Sequence, residues 1–482
     1  MKLKLFSLVM GLLLGVPALQ AKVELPSVLA SNMVLQQKTG VKLWGKAKPS
    51  AQLTIKTSWN NRTVKTKVGA DGKWEVEIYT SKAGGPYEIT FNDGEKLTLE
   101  NILLGEVWLC MGQSNMEMPI RGFDRQPHRG GNDIIARSKA STPIRIFNTD
   151  RKDGTWFRQS AKTPQEDMHG EWQVNSPENV AIASAAAYHF ARYIQEVLEV
   201  PVGIMVSTLG GSMIEPWMSR EALKAFPSVN LSMLDNGQPV KSLHTEPTVL
   251  FNAKVAPLTK FAIKGFLWYQ GESNRSNYKL YKDLVPAFVK DLRNRWGRGD
   301  LPFYYVEIAP FDYEGANDIS AARLREVQAT HMKSIPNSGM VTTLDIGNHV
   351  FIHPMDKATV GQRLAWWALG KTYGLKGFGY APPIYKSMEI KEHKVYINVE
   401  NAGNGLCPMW TPLKGFEIAG EDRVFHPASA EIETKTCRLA VSSPEVPNPV
   451  AVRYGYHNYA EAYVFNIEGL PLVPFRTDNW DK

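Results

Sequence analysis

Ser114 stands in the run GQSNM (residues 112–116), directly after the apolar stretch ILLGEVWLC. Three later apolar runs also end in polar or glycine clusters. VGIMVSTLG leads to Gly210 and Gly211, IKGFLWY leads to QGESN (residues 270–274), and GMVTTL leads to DIGNHVFIHPMDK, which holds Asp345, His349, His353 and Asp356. Buried parallel strands converge such clusters on one crevice at their carboxyl ends. Serine, histidine and aspartate beside glycine amides are the parts of an acyl-transfer site. Ser114 would attack a carbonyl carbon once a histidine has taken its proton. The backbone N–H groups of Ser114 and Gly211 suit the developing oxyanion, with a side-chain amide from Gln270 or Asn274; removing one such donor typically costs ~2.7–4 kcal/mol of barrier. A plainer reading makes Ser114 a helix cap, with Glu117 three residues on completing a capping box.

The other candidates divide by their chemistry. His353, followed by Pro354, is the expected base, and His349 a loop residue near it. A histidine pair four apart suits zinc, but HVFIH carries no acid between its histidines and no third ligand is spaced to join them, so neither metal nor cofactor is expected. A carboxylate beside oxyanion donors opposes the charge they stabilise, so Glu272 reads as a structural acceptor for backbone amides of the nucleophile turn. Gln113 and Asn115 read as residues that fix that turn. Trp217, Trp268 and Trp410 read as core rather than as sugar platforms. For an acidic sugar, Arg121, Arg125, Arg129 and Arg325 are the arginines near the expected site.

The elements that position these residues follow from the pattern. Residues 1–21 have a basic start, an apolar middle and a small-residue end, as in a secretory signal peptide, which predicts export to a periplasmic or extracellular space. Residues 22–100 give short alternating runs (QLTIKTS, TVKTKVG, KWEVEIYT) between Gly/Asp turns, which predicts a β-sandwich. From 101 to 378, apolar strands alternate with helical stretches (SAAAYHFARYIQEVLEV, LYKDLVPAFVKDLRNRWG, TVGQRLAWWALGKTYG), the pattern of an α/β domain with a parallel sheet and helices on both faces. Residues 120–175 lack periodicity and read as a loop-rich insertion. Residues 379–482 return to β-type runs and predict a second sandwich. A formal charge of +7, or +5 without Lys2 and Lys4, with no basic block, argues against nucleic acid as partner. No stretch outside the leader is long enough to anchor the chain in a membrane. Of three cysteines, Cys110 reads as a buried small hydrophobe, and Cys407 with Cys437 as the pair most suited to a disulfide.

Taken together, GQSNM, GGSMIEPW, WYQGESN, the IHP…K…VG.RLA run and the closing GLPLVPFRTDNW resemble the sialate O-acetylesterase (9-O-acetylesterase) family of SGNH-type hydrolases over nearly the whole mature chain. The resemblance implies a three-layer SGNH-type domain flanked by β-sandwiches. It also implies a cofactor-free serine esterase acting on O-acetylated sugars, notably N-acetyl-9-O-acetylneuraminic acid. Ser114 would be nucleophile, His353 base, and Gly211 with the QGESN amides the oxyanion donors. Such hydrolases place an aspartate three residues before the histidine, where this chain has Val350. Asp345, at a strand end, is then the expected orienting carboxylate, Asp356 a helix cap, and a dyad the alternative. An acetylesterase for xylan or another plant polysaccharide is the competing enzyme reading, and a non-catalytic carbohydrate-binding protein the competing class.

Overall fold

The computed structural model describes residues 22–480 except 410 and 434. The leader reading of residues 1–21 and the role of Trp410 lie outside the described residues. The centre is a mixed sheet of β1 (Lys96–Gly112), β2 (Ile144–Asn148), β3 (Glu171–Val174), β4 (Val202–Thr208), β5 (Gly265–Tyr269), β6 (Phe303–Val306) and β7 (Ser338–Val341). Their order is β3-β2-β4-β1-β5-β6-β7. Every neighbouring pair is parallel except β3 with β2 at the edge.

Helices cover both faces, which is why the central strands are continuously apolar. Trp108 and Cys110 of β1 pack in one cluster with α2 (Ala185–Leu198) and α5 (Lys357–Trp367). The alternate residues Leu109 and Met111 pack in another with α3 (Tyr278–Trp296) and α4 (Ser320–Ser334). A four-residue helix, α1 (Ser114–Glu117), follows β1. Local signals place the ends of the longer helices. The Ser184 hydroxyl accepts from the Ala187 N–H at the start of α2, the Asp356 carboxylate accepts from the Thr359 N–H (3.0 Å) at the start of α5, and α3 stops at Gly297 in the left-handed conformation. Among the described residues, no helix is long and apolar enough to cross a membrane.

Several expectations change. The stretch 120–175 is not wholly loop, since it supplies β2 and β3 to the sheet. The N-terminal strands are not all a sheet apart. Gly40–Lys46 and Lys73–Tyr79 form a two-stranded sheet of their own, but the first part of β1 pairs with Gly84–Asn92 and Val34–Gln36, while Glu106–Gly112 pairs with β4. The position between residues 100 and 101 lies inside this strand. The C-terminal strands form a separate seven-stranded antiparallel sheet with its own core around Val395, Ile397, Phe416 and Tyr454. Cys110 is fully buried as expected, and burial pushes its thiol well above the usual range. Cys407 and Cys437 are free thiols rather than a disulfide.

Candidate active site

The turn that carries Ser114 is built where β1 and β5 close on each other. Gly112 has φ +143°, and a Cβ there would lie 2.1 Å from the Tyr269 carbonyl oxygen. Only glycine allows that approach. The Gln113 N–H then donates to Tyr269 O (3.0 Å), and Gln113 Oε1 accepts from the N–H groups of Gly271 (3.2 Å) and Ser273 (3.5 Å). Gln113 thus ties the turn to the loop after β5. Ser114 is the first residue of α1 and caps nothing, because Gln113 occupies the cap position. Glu117, the acid of the expected capping box, instead accepts the Gly210 N–H (2.5 Å). Gly210 sits against Ser114, since a Cβ on it would meet Ser114 Cβ at 3.4 Å. The Ser114 N–H belongs to the first helical turn and has no acceptor within the helix.

His353 lies in the loop between β7 and α5. Its Nδ1–H donates to Gln126 Oε1 (2.6 Å), and its ring meets Phe123 edge to face at 5.1 Å. This bond selects the tautomer whose Nε2 carries a free lone pair, as a base requires. Burial, reinforced by the nearby Lys357 charge, pulls the imidazole pKa down to about 4. The two halves of the site meet at Asn115: its Nδ2 donates to Ile352 O (3.2 Å), so the residue after Ser114 is bonded to the residue before His353.

Other expected site residues are placed differently. Both carboxylate oxygens of Asp345 accept from Arg363 (2.8 and 2.6 Å), so Asp345 does not orient His353 and an amide does. Gln270 and Asn274 are wholly buried. Asn274 Nδ2 donates to Glu215 Oε2 (3.1 Å), and Gln270 Nε2 donates to Asn274 Oδ1 (2.7 Å) and Ser212 O (3.1 Å). Their donors brace the loop beyond Gly211 instead of facing the crevice. Gly211 is exposed, with φ +73°. Glu272 accepts from the side-chain amide of Asn115 (2.6 Å), not from backbone amides of the nucleophile turn. His349 is exposed, donates to Asp312 (2.6 Å) and stacks on Tyr459. Among the described residues no group of three or more His, Cys, Asp or Glu is placed to hold a metal. Trp217 and Trp268 are buried against each other, and Arg325 is buried on the carbonyls of His457 and Asn458.

A cavity of about 630 Å3 adjoins the turn, walled by Glu117, Arg121, Phe123, Phe157, Arg158 and Lys254 among others. Phe123 lines the cavity and also meets the His353 ring, so the cavity and His353 are neighbours. Lys254 is held by Asp150 (2.5 Å). Arg121 and Arg158 are exposed and pair with no carboxylate among the described residues. Gln126 and Arg158 are the residues sequence reasoning missed. Gln126 stands 227 positions from His353 in an aperiodic stretch, and only the fold brings them together.

The family model described as "Carbohydrate esterase, sialic acid-specific acetylesterase" matches residues 104–369. The sialate O-acetylesterase of Mus musculus is 27% identical over 93% of this chain and 93% of its own length. That of Pongo abelii is 29% identical over 93% and 91%. Among solved structures, a carbohydrate acetylesterase from Xanthomonas citri superposes with TM-score 0.85 at 32% identity, covering 95% of this chain and 100% of that one.

Proposed function

The chain belongs to the carbohydrate esterase family of sialic acid-specific acetylesterases, and from that membership we propose that it is an exported serine esterase of SGNH type that removes O-acetyl groups from sugars, 9-O-acetylated sialic acid foremost. Ser114 Oγ attacks the acetyl carbonyl carbon as its proton passes to His353 Nε2. Gln126 holds the imidazole in the receptive tautomer. The N–H groups of Ser114 and Gly211 stabilise the oxyanion. Collapse expels the sugar alcohol, which takes the proton from His353. A water molecule then repeats the attack on acetyl-Ser114 and frees acetate and the serine.

The observation that carries this reading is the Asn115 bond to Ile352 O, which joins the nucleophile turn to the base loop. The preference for an acidic sugar is supported by Arg121 and Arg158 at the cavity, because guanidinium is the planar, bidentate partner of a carboxylate. Export is supported by the leader-like residues 1–21 alone. The test is acetate release from 9-O-acetylated sialic acid and from acetylated xylan, by the wild type and Ser114→Ala. We expect the sialic acid to be preferred and Ser114→Ala to lose activity by about 10³-fold or more with an unchanged thermal midpoint. Substantial turnover by Ser114→Ala defeats the mechanism, and a preference for xylan defeats the substrate assignment.

A further inference from the structure

Lys357 is the first residue of α5, four positions after His353, and is wholly buried. Its Nζ donates to Asn115 Oδ1 (2.5 Å) and lies 5.3 Å from the centre of the Tyr269 ring. The other end of the same amide donates to Glu272 Oε1 (2.6 Å) and Ile352 O (3.2 Å). Cation and carboxylate are therefore linked through the amide of Asn115, the residue after Ser114. The amide has one orientation only, since reversing it would set its NH2 against the ammonium and its oxygen against the carboxylate. Glu272 is also buried, and its Oε2 has no hydrogen-bond partner among the described residues. Buried charges are costly, and apolar residues of similar volume often hold a core as well or better. A purely structural buckle would need neither charge.

We infer that Lys357 is a positioning residue for the esterase reaction: its cationic side chain, acting through Asn115, locks the Ser114 turn against the His353 loop, and turnover requires the charge. This inference rests on the esterase reading above. The groups facing Lys357 are Glu272 from the loop after β5, Tyr269 on β5, Asp356 beside it, and His128 and His353, whose pKa values its charge lowers. Burial brings the ammonium pKa down to about 7, against the pull of Glu272 and Asp356. The cation is thus present below that pH and lost above it, and turnover should decline as pH rises through the same region.

The experiment is the pH profile of kcat and kcat/KM on one acetyl ester for the wild type, Lys357→Met and Glu272→Gln. Lys357→Met should lower kcat by about 100-fold through misplacement of the nucleophile, with KM unchanged. Its alkaline decline should vanish, and its acid limb should move to higher pH as His353 is relieved of a neighbouring cation. Glu272→Gln removes the anion that favours the ammonium, so its alkaline decline should move to lower pH. The inference is overturned if the wild type shows no alkaline decline, or if a folded Lys357→Met keeps the wild-type profile shape at any rate. It is equally overturned if Glu272→Gln leaves the alkaline limb in place, and that variant decides alone should Lys357→Met not fold. Absence of all esterase activity in the wild type would defeat the function itself; an active wild type whose limbs ignore both variants defeats only the role of Lys357.

Discussion

An amide, rather than a carboxylate, receives the Nδ1–H of His353. A neutral acceptor fixes the tautomer but lends no charge to an imidazolium, and burial beside Lys357 then keeps the ring's pKa near 4. The base should stay deprotonated through mildly acid conditions, with activity lost only as pH falls toward that value. Replacing Gln126 with Glu places an anion at the same distance, which raises the imidazole pKa by about 1–3 units. The acid limb of kcat/KM should move upward accordingly, and a limb that stays put would separate Gln126 from the base. Asp345→Asn should leave turnover and pH profile intact, because that carboxylate serves Arg363. Its cost should appear in chemical denaturation, as a loss of about 1–3 kcal/mol from a half-buried charged pair. Ser114 and His353 stand out in the sequence because residue type, strand-end position and neighbouring motif agree, and the structure joins their two loops through the Asn115 bond to Ile352 O. Asp345 misled because a strand end tells where a residue stands, not whom its side chain meets. Gln270 and Asn274 misled likewise: their amides are of the right kind but are already occupied by Glu215, Ser212 and each other.

At the level of elements, Ser114 is presented by a strand that can end where it does only because Gly112 has no side chain. Its Cβ position is filled by the backbone of Tyr269, which cannot step aside as a flexible side chain would. Gly112→Ala should therefore destabilise the protein by about 2–4 kcal/mol, seen as a lower midpoint in urea, and should also slow turnover by shifting Ser114; wild-type stability would mean that β1 and β5 are not so close. The helices α2, α3 and α5 could be read from the sequence, since each carries an apolar stripe. Helix α4 could not be read that way, because the face it buries includes Arg325, Gln328 and His331 among its apolar residues. The polarity of that face reflects its partners, namely the carbonyls of residues 457 and 458, the loop after β5 and Lys282. Strands β2 and β3 escaped notice for another reason. They are five and four residues long, and they lie in a stretch rich in Gly, Arg and Asp.

Across the whole molecule, acid should weaken the fold through histidines that are stored neutral. Burial lowers the pKa of His189 to about 3 and of His331 to about 4, whereas in an unfolded chain both titrate near 6.5. The unfolded state then binds more protons between those limits, and each such proton is worth ~1.4 kcal/mol per pH unit. The contribution is complete above about pH 6.5 and is lost progressively as pH falls toward 3–4. Thermal midpoints measured from pH 7 to pH 4 should fall across this window. His331→Gln, which keeps a donor for Lys282 O, should fall less steeply, and an unchanged slope would exclude His331 from the acid response. The seventeen-residue strand Lys96–Gly112 ties the N-terminal strands to the candidate site as well. It acts as a strut, with one end clamped among the N-terminal strands and the other carrying the turn that holds Ser114. A slip of its register among the N-terminal strands would be delivered along the strut to the serine. The aim of Ser114 is thus borne partly by residues far from the crevice.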